Sequence, residues 1–226
     1  MKKNLFSSAI LLLLLTSKMF AAVDPANANT QFICNGENIK IPNAAPGTVY
    51  EISYSAAPTS SPNDPITATI GGAETTFASK GTGYYYIAVK NSTTNCISEW
   101  QEIPVYVLDP LTINPTAGDY CGPNASATTF TSAISAKDQN AQDANIIYQW
   151  YSVDNTTNTE TKITGATSAT LTPTATVAGT YKYKLKYAYY FNNKYYCAGD
   201  SGPLTVTVSD LPAKPVITID SPVSGI

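Results

Sequence analysis

Ser201 sits in Cys197-Ala198-Gly199-Asp200-Ser201-Gly202-Pro203-Leu204, flanked by glycines and next to an aspartate, a setting that can expose a nucleophile. A serine hydroxyl attacks only when a neighbouring base takes its proton, and histidine is the usual base at neutral pH. The chain has no His and no Arg; all thirteen basic residues are Lys. Nothing in the spacing brings a lysine to Ser201, so the segment reads as the turn into the last strand. The same shortage disfavours zinc and copper. Calcium needs only oxygens, but Asp138, Asn140 and Asp143, or Asp154, Asn158 and Glu160, do not have EF-hand spacing and read as solvated loop residues. Glycoside hydrolysis needs one carboxyl in an apolar setting, and the only acid in an apolar run, Glu51, alternates outward. No catalytic residue, metal ligand or cofactor is expected.

The ends and the cysteines point to a compartment. Lys2 and Lys3 precede Ala9-Ile10-Leu11-Leu12-Leu13-Leu14-Leu15, and the small pair Ala21-Ala22 follows, the pattern of a cleaved signal peptide over residues 1–21. The run is shorter than the ~20 residues a membrane helix needs, so no membrane insertion is expected after cleavage. Without residues 1–21 ten lysines face sixteen acidic residues, a net charge of −6, a poor balance for nucleic acid. Cys34, Cys96, Cys121 and Cys197 read as disulfides of an oxidising compartment, and the expected location is secreted or cell surface.

The elements that would carry these residues repeat. Cys34, Gly83-Tyr84-Tyr85, Cys96 and Ile103-Pro104-Val105-Tyr106-Val107 recur as Cys121, Gly179-Thr180-Tyr181, Cys197 and Leu204-Thr205-Val206-Thr207-Val208. Strand periodicity dominates. Ile146, Tyr148 and Trp150 alternate with Ile147, Gln149 and Tyr151, and Tyr181, Tyr183, Leu185 and Tyr187 face in where Lys182, Lys184 and Lys186 face a solvated side. In the first repeat Tyr50, Ile52, Tyr54, Tyr85, Ile87 and Val89, with Ile39 and Ile41, are the expected core, and Ala56 to Pro65 a loop or edge. The expected layout is a first domain over 29–108, a second over 111–209, and over 210–226 a linker with the first strand, Val216-Ile217-Thr218-Ile219, of a third module of a longer protein. Pairing Cys34 with Cys96 and Cys121 with Cys197 alone keeps each bridge within one repeat, and is the expected connectivity.

Leu171, Gly179-Thr180-Tyr181 and Trp150 fall where immunoglobulin-like domains place their strand-E Leu, tyrosine corner and strand-C Trp. The chain resembles the Ig-like repeat modules of exported bacterial cell-surface proteins, particularly the long multi-repeat proteins of gliding, outer-membrane bacteria. The resemblance covers 121–208 well and 34–107 more loosely. It implies an all-β chain of tandem Ig-like Greek-key β-sandwiches, each with one disulfide. One departure is that Tyr183 occupies the antibody-type second Cys position, which moves the bridge toward the last hairpin at the sandwich end. Gly199-Asp200-Ser201-Gly202-Pro203 also resembles the nucleophile segment of chymotrypsin-like serine proteases, but lacks its second Gly and any histidine.

Tyrosine marks the candidate binding surfaces. Tyr187, Tyr189, Tyr190, Phe191, Tyr195 and Tyr196 flank the turn Asn192-Asn193, an aromatic hairpin between the last two strands. Tyr189, Tyr190, Tyr195 and Tyr196 are candidate ligand contacts, since tyrosine gives rigid contact area at low entropy cost; the alternative is that the rings pack on each other and on the neighbouring module. Tyr84, Tyr86 and Tyr106 alternate outward from adjacent strands as a second candidate patch. The expected function is a non-catalytic spacer, adhesive or interaction segment of a longer exported surface protein. Its partners would be a surface glycan or protein and neighbouring modules of the same protein. The alternatives are a carbohydrate-binding accessory module of a secreted polysaccharide-degrading enzyme, or a fimbrial-type subunit pairing strand 216–219 with a neighbour.

Overall fold

The computed structural model describes residues 22–217. The expected signal segment and Thr218-Ile219 lie outside the described residues. The described residues form fifteen strands and two short 3-10 turns. The first half contributes β1 (Gln31–Cys34), β2 (Asn38–Pro42), β3 (Thr48–Ser55), β4 (Asp64–Pro65), β5 (Thr69–Gly71), β6 (Glu74–Ala78), β7 (Gly83–Asn91) and β8 (Gln101–Leu108). The second contributes β9 (Thr112–Thr116), β10 (Tyr120–Cys121), β11 (Thr131–Ala136), β12 (Ile146–Val153), β13 (Glu160–Lys162), β14 (Gly179–Phe191) and β15 (Lys194–Ser209).

In the first half the sheet β1-β8-β7-β3-β4 opposes β2-β6-β5, and in the second β10-β15-β14-β12-β13 opposes the pair β11-β9. Each half has a short first-edge strand parallel to its last strand, β1 on β8 and β10 on β15, among otherwise antiparallel pairs. The chain is all-β, tandem Ig-like sandwiches. Alternation builds both interiors. Trp150 and Leu185 are fully buried with Phe130 and Tyr183, and Trp150 donates its indole N–H to the Ser168 carbonyl at 3.0 Å. Ile52, Phe77, Tyr85 and Val105 fill the first interior, whereas Val89, expected there, is exposed toward the end of β7. Asp64-Pro65 is the edge strand of its sheet.

The repeated Gly-x-Tyr does the same job twice. Tyr181 donates its hydroxyl to the Val177 carbonyl at 2.9 Å, and Tyr85 to the Gly81 carbonyl at 3.0 Å, each closing a corner four residues back. Gly83 has no room for a side chain, because a Cβ there would lie 2.8 Å from the Ser55 carbonyl oxygen.

The expected disulfides are corrected. Cys34 is bonded to Cys197 with Cα atoms 5.4 Å apart, while Cys96 and Cys121 are free thiols. Strand register explains why. Cys34 lies opposite Leu108, at the far end of β8 from the turn that carries Cys96, about 25 Å away at ~3.3 Å per residue. Cys121 lies opposite Ser209, twelve residues along β15 from Cys197, about 40 Å on the same rise. A disulfide spans at most about 7 Å between Cα atoms. The bridge therefore does not sit within either sandwich but joins the two. Of the expected strand over 216–219, the described residues Val216 and Ile217 carry no strand hydrogen bonding and are 95% and 78% exposed.

Candidate interaction site

The β14–β15 hairpin overruns its own sandwich and folds back on the first. Asn192 and Asn193 turn it with φ of 48° and 61°, the left-handed pair that suits the twist of a two-residue hairpin. Past Tyr187, which is buried as alternation requires, the inward row continues into Tyr189, with no exposed surface, and Phe191. Phe191 stacks on Phe32 of β1 at 4.6 Å and 9° between planes, and Tyr196 tilts against the same Phe32 ring at 5.5 Å. Tyr189 and Tyr196 are thus corrected from ligand contacts to packing groups between the sandwiches. Tyr190 and Tyr195 point the other way, 37% and 67% exposed, with ring centroids 5.2 Å apart and planes tilted by 36°. The Tyr190 hydroxyl donates to Asn193 Oδ1 at 3.2 Å.

The expected patch of Tyr84, Tyr86 and Tyr106 is also corrected, since these residues are only 8%, 3% and 7% exposed. They do leave the first sandwich on its outer face, but other segments cover them. The Thr59 amide donates to the Tyr86 hydroxyl at 2.7 Å, which brings the Ala56–Pro65 segment over that ring, and Tyr86 donates to Glu102 at 2.7 Å. Tyr84 belongs to the same buried cluster as Val23 and Phe32. Tyr106 is covered by the second sandwich.

That cover is built around Asp138, in the connection between β11 and β12. Asp138 was expected in a solvated loop but is 3% exposed. Its Oδ1 accepts from the Tyr106 hydroxyl at 2.9 Å and the Asn140 amide at 2.9 Å, and its Oδ2 accepts from the Asp109 amide at 3.2 Å. Its own amide donates to the Tyr189 hydroxyl at 2.7 Å, and Asn140 Nδ2 donates to the Tyr106 hydroxyl at 2.6 Å. A buried carboxylate survives without a cation when several donors replace its water, and here they come from both sandwiches and the Asp109-Pro110 linker. Burial pushes the Tyr106 and Tyr189 phenols above their ordinary range, so both remain neutral at physiological pH, Tyr106 donating to Asp138 and Tyr189 accepting from its amide.

The other candidate chemistry is absorbed by structure. Ser201 donates to the Gly202 carbonyl at 2.8 Å and accepts the Leu185 amide at 3.1 Å. It holds the register shift between Lys184 and Lys186 inside β15, not the turn before it. Lys184 pairs with Asp200 at 2.8 Å and Glu160 at 2.9 Å, and Lys186 with Glu160 at 2.5 Å, so these lysines form an ion-pair network instead of a plain solvated face. Asp154 accepts from the Thr156 and Thr157 amides, and Asp143 pairs with Lys137. Among the described residues no three His, Cys, Asp or Glu gather as a metal site, and no helix is long and apolar enough to cross a membrane. A cleft of about 960 Å³ opens between β1 and β2 over apolar side chains such as Ile33, Ile39 and Phe77.

No family model matches the chain, and no curated protein matches it. Among solved structures it is similar to a three-domain segment of titin at 15% identity and TM-score 0.35, over 76% of this chain and 60% of that one. It is also similar to three N-terminal domains of the bacteriophage RB49 outer capsid protein Hoc at 11% identity and TM-score 0.43, over 82% of this chain and 69% of that one. A third is the N-terminal four Ig domains of a Dscam1 isoform, at 11% identity and TM-score 0.30, over 80% of this chain and 44% of that one. The chain spans 60% of the titin segment's length.

Proposed function

We propose that this chain is a non-catalytic spacer and interaction segment of a longer exported surface protein, with Ig-like domains over 29–108 and 111–209 as its modules. The joint carries this proposal. A spacer holds a binding face at a distance only if its modules do not swing freely, and chain-internal domain contacts of ordinary size leave such swinging in place. Here the Cys34–Cys197 bridge, the Phe32–Phe191 stack and the Asp138 network tie one sandwich to the next. The disulfide supports an oxidising, exported location. The surface left for a glycan or protein partner is the Tyr190–Tyr195 pair, whose tilt favours protein contact or plain spacing over a flat sugar platform.

Small-angle X-ray scattering of the full chain tests the joint. One fixed separation between the two sandwiches is expected, unchanged by salt. A distribution requiring several separations would remove the spacer proposal.

A further inference from the structure

The two positions joined by the Cys34–Cys197 bridge occur a second time in this chain, and there they are unjoined. Cys34 ends β1 opposite Leu108, the last residue of β8; Cys121 ends β10 opposite Ser209, the last residue of β15. Cys197 lies near the start of β15, just past the turn of the last hairpin of the second sandwich. Cys96 lies in the equivalent β7–β8 connection of the first. Each sandwich therefore carries one cysteine at the tail of its first-edge strand and one in its last hairpin. The observed bridge joins the tail of one sandwich to the hairpin of the next. Both remaining thiols are free, and they sit at opposite ends of the two-sandwich unit: Cys96 at the end of the first sandwich away from the joint, Cys121 at the end of the second away from it.

The surroundings of Cys96 also match a joint that is waiting for a partner. Val49, Val89, Ile97 and Trp100 are exposed by 39%, 38%, 50% and 37%. Strand pairing puts Val49 and Ile97 on one face: Val49 lies opposite Lys90, and Lys90 bridges Ile97. At the same end of the second sandwich the apolar hairpin residues Phe191 and Tyr196 are covered by Phe32 of the first. Exposed apolar residues clustered on one end of a module mark a surface that another module covers.

We propose that Cys121 of one molecule bonds to Cys96 of a second copy, repeating between molecules, head to tail, the joint that Cys34–Cys197 makes within one. The inference rests on the modular spacer reading and names what the ends of the spacer join. Two thiols lose two protons and two electrons as the S–S bond forms, and a disulfide oxidant such as glutathione disulfide takes them up and is released as two thiols. The tail side of the new joint is more polar than the internal one. Register places Asp119 and Thr207 where the first sandwich has Phe32 and Tyr106. The intermolecular joint therefore depends on its bridge, and reduction separates the copies.

The full chain, Cys96→Ser and Cys121→Ser are equilibrated in a glutathione redox buffer, alone and with the two variants mixed in equal amounts. Non-reducing electrophoresis and peptide mapping then read the products. The unaltered chain should give a ladder that collapses on reduction. Each variant alone should stay monomeric, and the mixture should give one dimer containing a Cys96–Cys121 peptide. The proposal is overturned if either variant alone dimerises as readily as the mixture, if the unaltered chain stays monomeric, or if Cys96 and Cys121 bond within one molecule. The same map reports Cys34–Cys197. Its presence without a mixed dimer removes this inference alone, whereas its absence removes the internal joint and the spacer proposal with it.

Discussion

Phe32 and Phe191 stack nearly parallel, 4.6 Å apart, although one belongs to the first strand of the first sandwich and the other to the last hairpin of the second. Such a pair contributes about 0.5–1.5 kcal/mol beyond the area it buries. It also sets direction, since a hairpin whose inner row rests on Phe32 brings Cys197 to Cys34.

Peptide mapping without reductant should therefore recover Cys34 linked to Cys197, with Cys96 and Cys121 alkylatable in fresh monomer. By the loop-entropy relation, closing 163 residues stabilises by about 5 kcal/mol, an upper figure. Cys34→Ser should lower the denaturation midpoint strongly, and an unchanged midpoint would show the bridge to be incidental.

Asp138→Ala should be more harmful than any exposed carboxylate change. It leaves the Tyr106 hydroxyl and the Asp109 and Asn140 amides without their acceptor in a buried place. A loss of about 2–3 kcal/mol is expected in chemical denaturation, with Asp138→Asn recovering part of it, because an amide oxygen still accepts. Equal losses for the two variants would mean that shape matters there and hydrogen bonding does not.

The two faces of the hairpin should separate by substitution. Phe191→Ala should cost about 2 kcal/mol, below the range for a fully buried Phe because the ring is half-buried. Tyr190→Ala with Tyr195→Ala should leave the melting temperature within a degree or so, as expected for exposed side chains. If the double variant melts as early as Phe191→Ala, the exposed pair is structural, and the proposed partner surface is lost.

Much of each sandwich was legible along the chain. Strand alternation placed Trp150, Tyr183, Leu185 and Tyr187 inside, and Gly-x-Tyr marked both corners, because these signals act within a few residues of themselves. The joint was not legible in the same way. Tyr84, Tyr86 and Tyr106 alternate outward as read, and what covers them is a loop and a second module, whose position no local period encodes. Asp138 looks like any loop carboxylate until the fold brings Tyr106 and Asp109 to it. The cysteine order suggested bridges inside each repeat, and only the parallel register of β1 on β8 shows that the two cysteines of one repeat lie at opposite ends of it. A signal was available: an edge-strand cysteine and a last-hairpin cysteine of the same sandwich are separated by a strand's length.

The ion pairs across β13, β14 and β15 predict a pH dependence. Lys186 and Lys184 hold the Glu160 carboxyl below its usual range, and Lys184 with the Gly202 amide does the same for Asp200. Asp200 and Glu160 in turn hold the Lys184 ammonium above its usual range. A carboxyl lowered on folding stabilises above its unfolded pKa and loses that contribution as pH falls through the lowered value; a raised ammonium stabilises below its unfolded pKa and loses it as pH climbs through the raised one. Lys184→Met should thus lower the melting midpoint at pH 7 and make no difference at pH 2. A deficit that persists undiminished at pH 2 would assign the effect to lost packing.

Held at its two ends and pulled, this molecule would pay out far less thread than its length implies. The Cys34–Cys197 bond short-circuits 163 residues, roughly 550 Å of contour at ~3.4 Å per residue, so tension passes from sulfur to sulfur and bypasses nearly the whole of both sandwiches. Only the strands outside that loop can be drawn out, until a reductant releases the stored slack in one step.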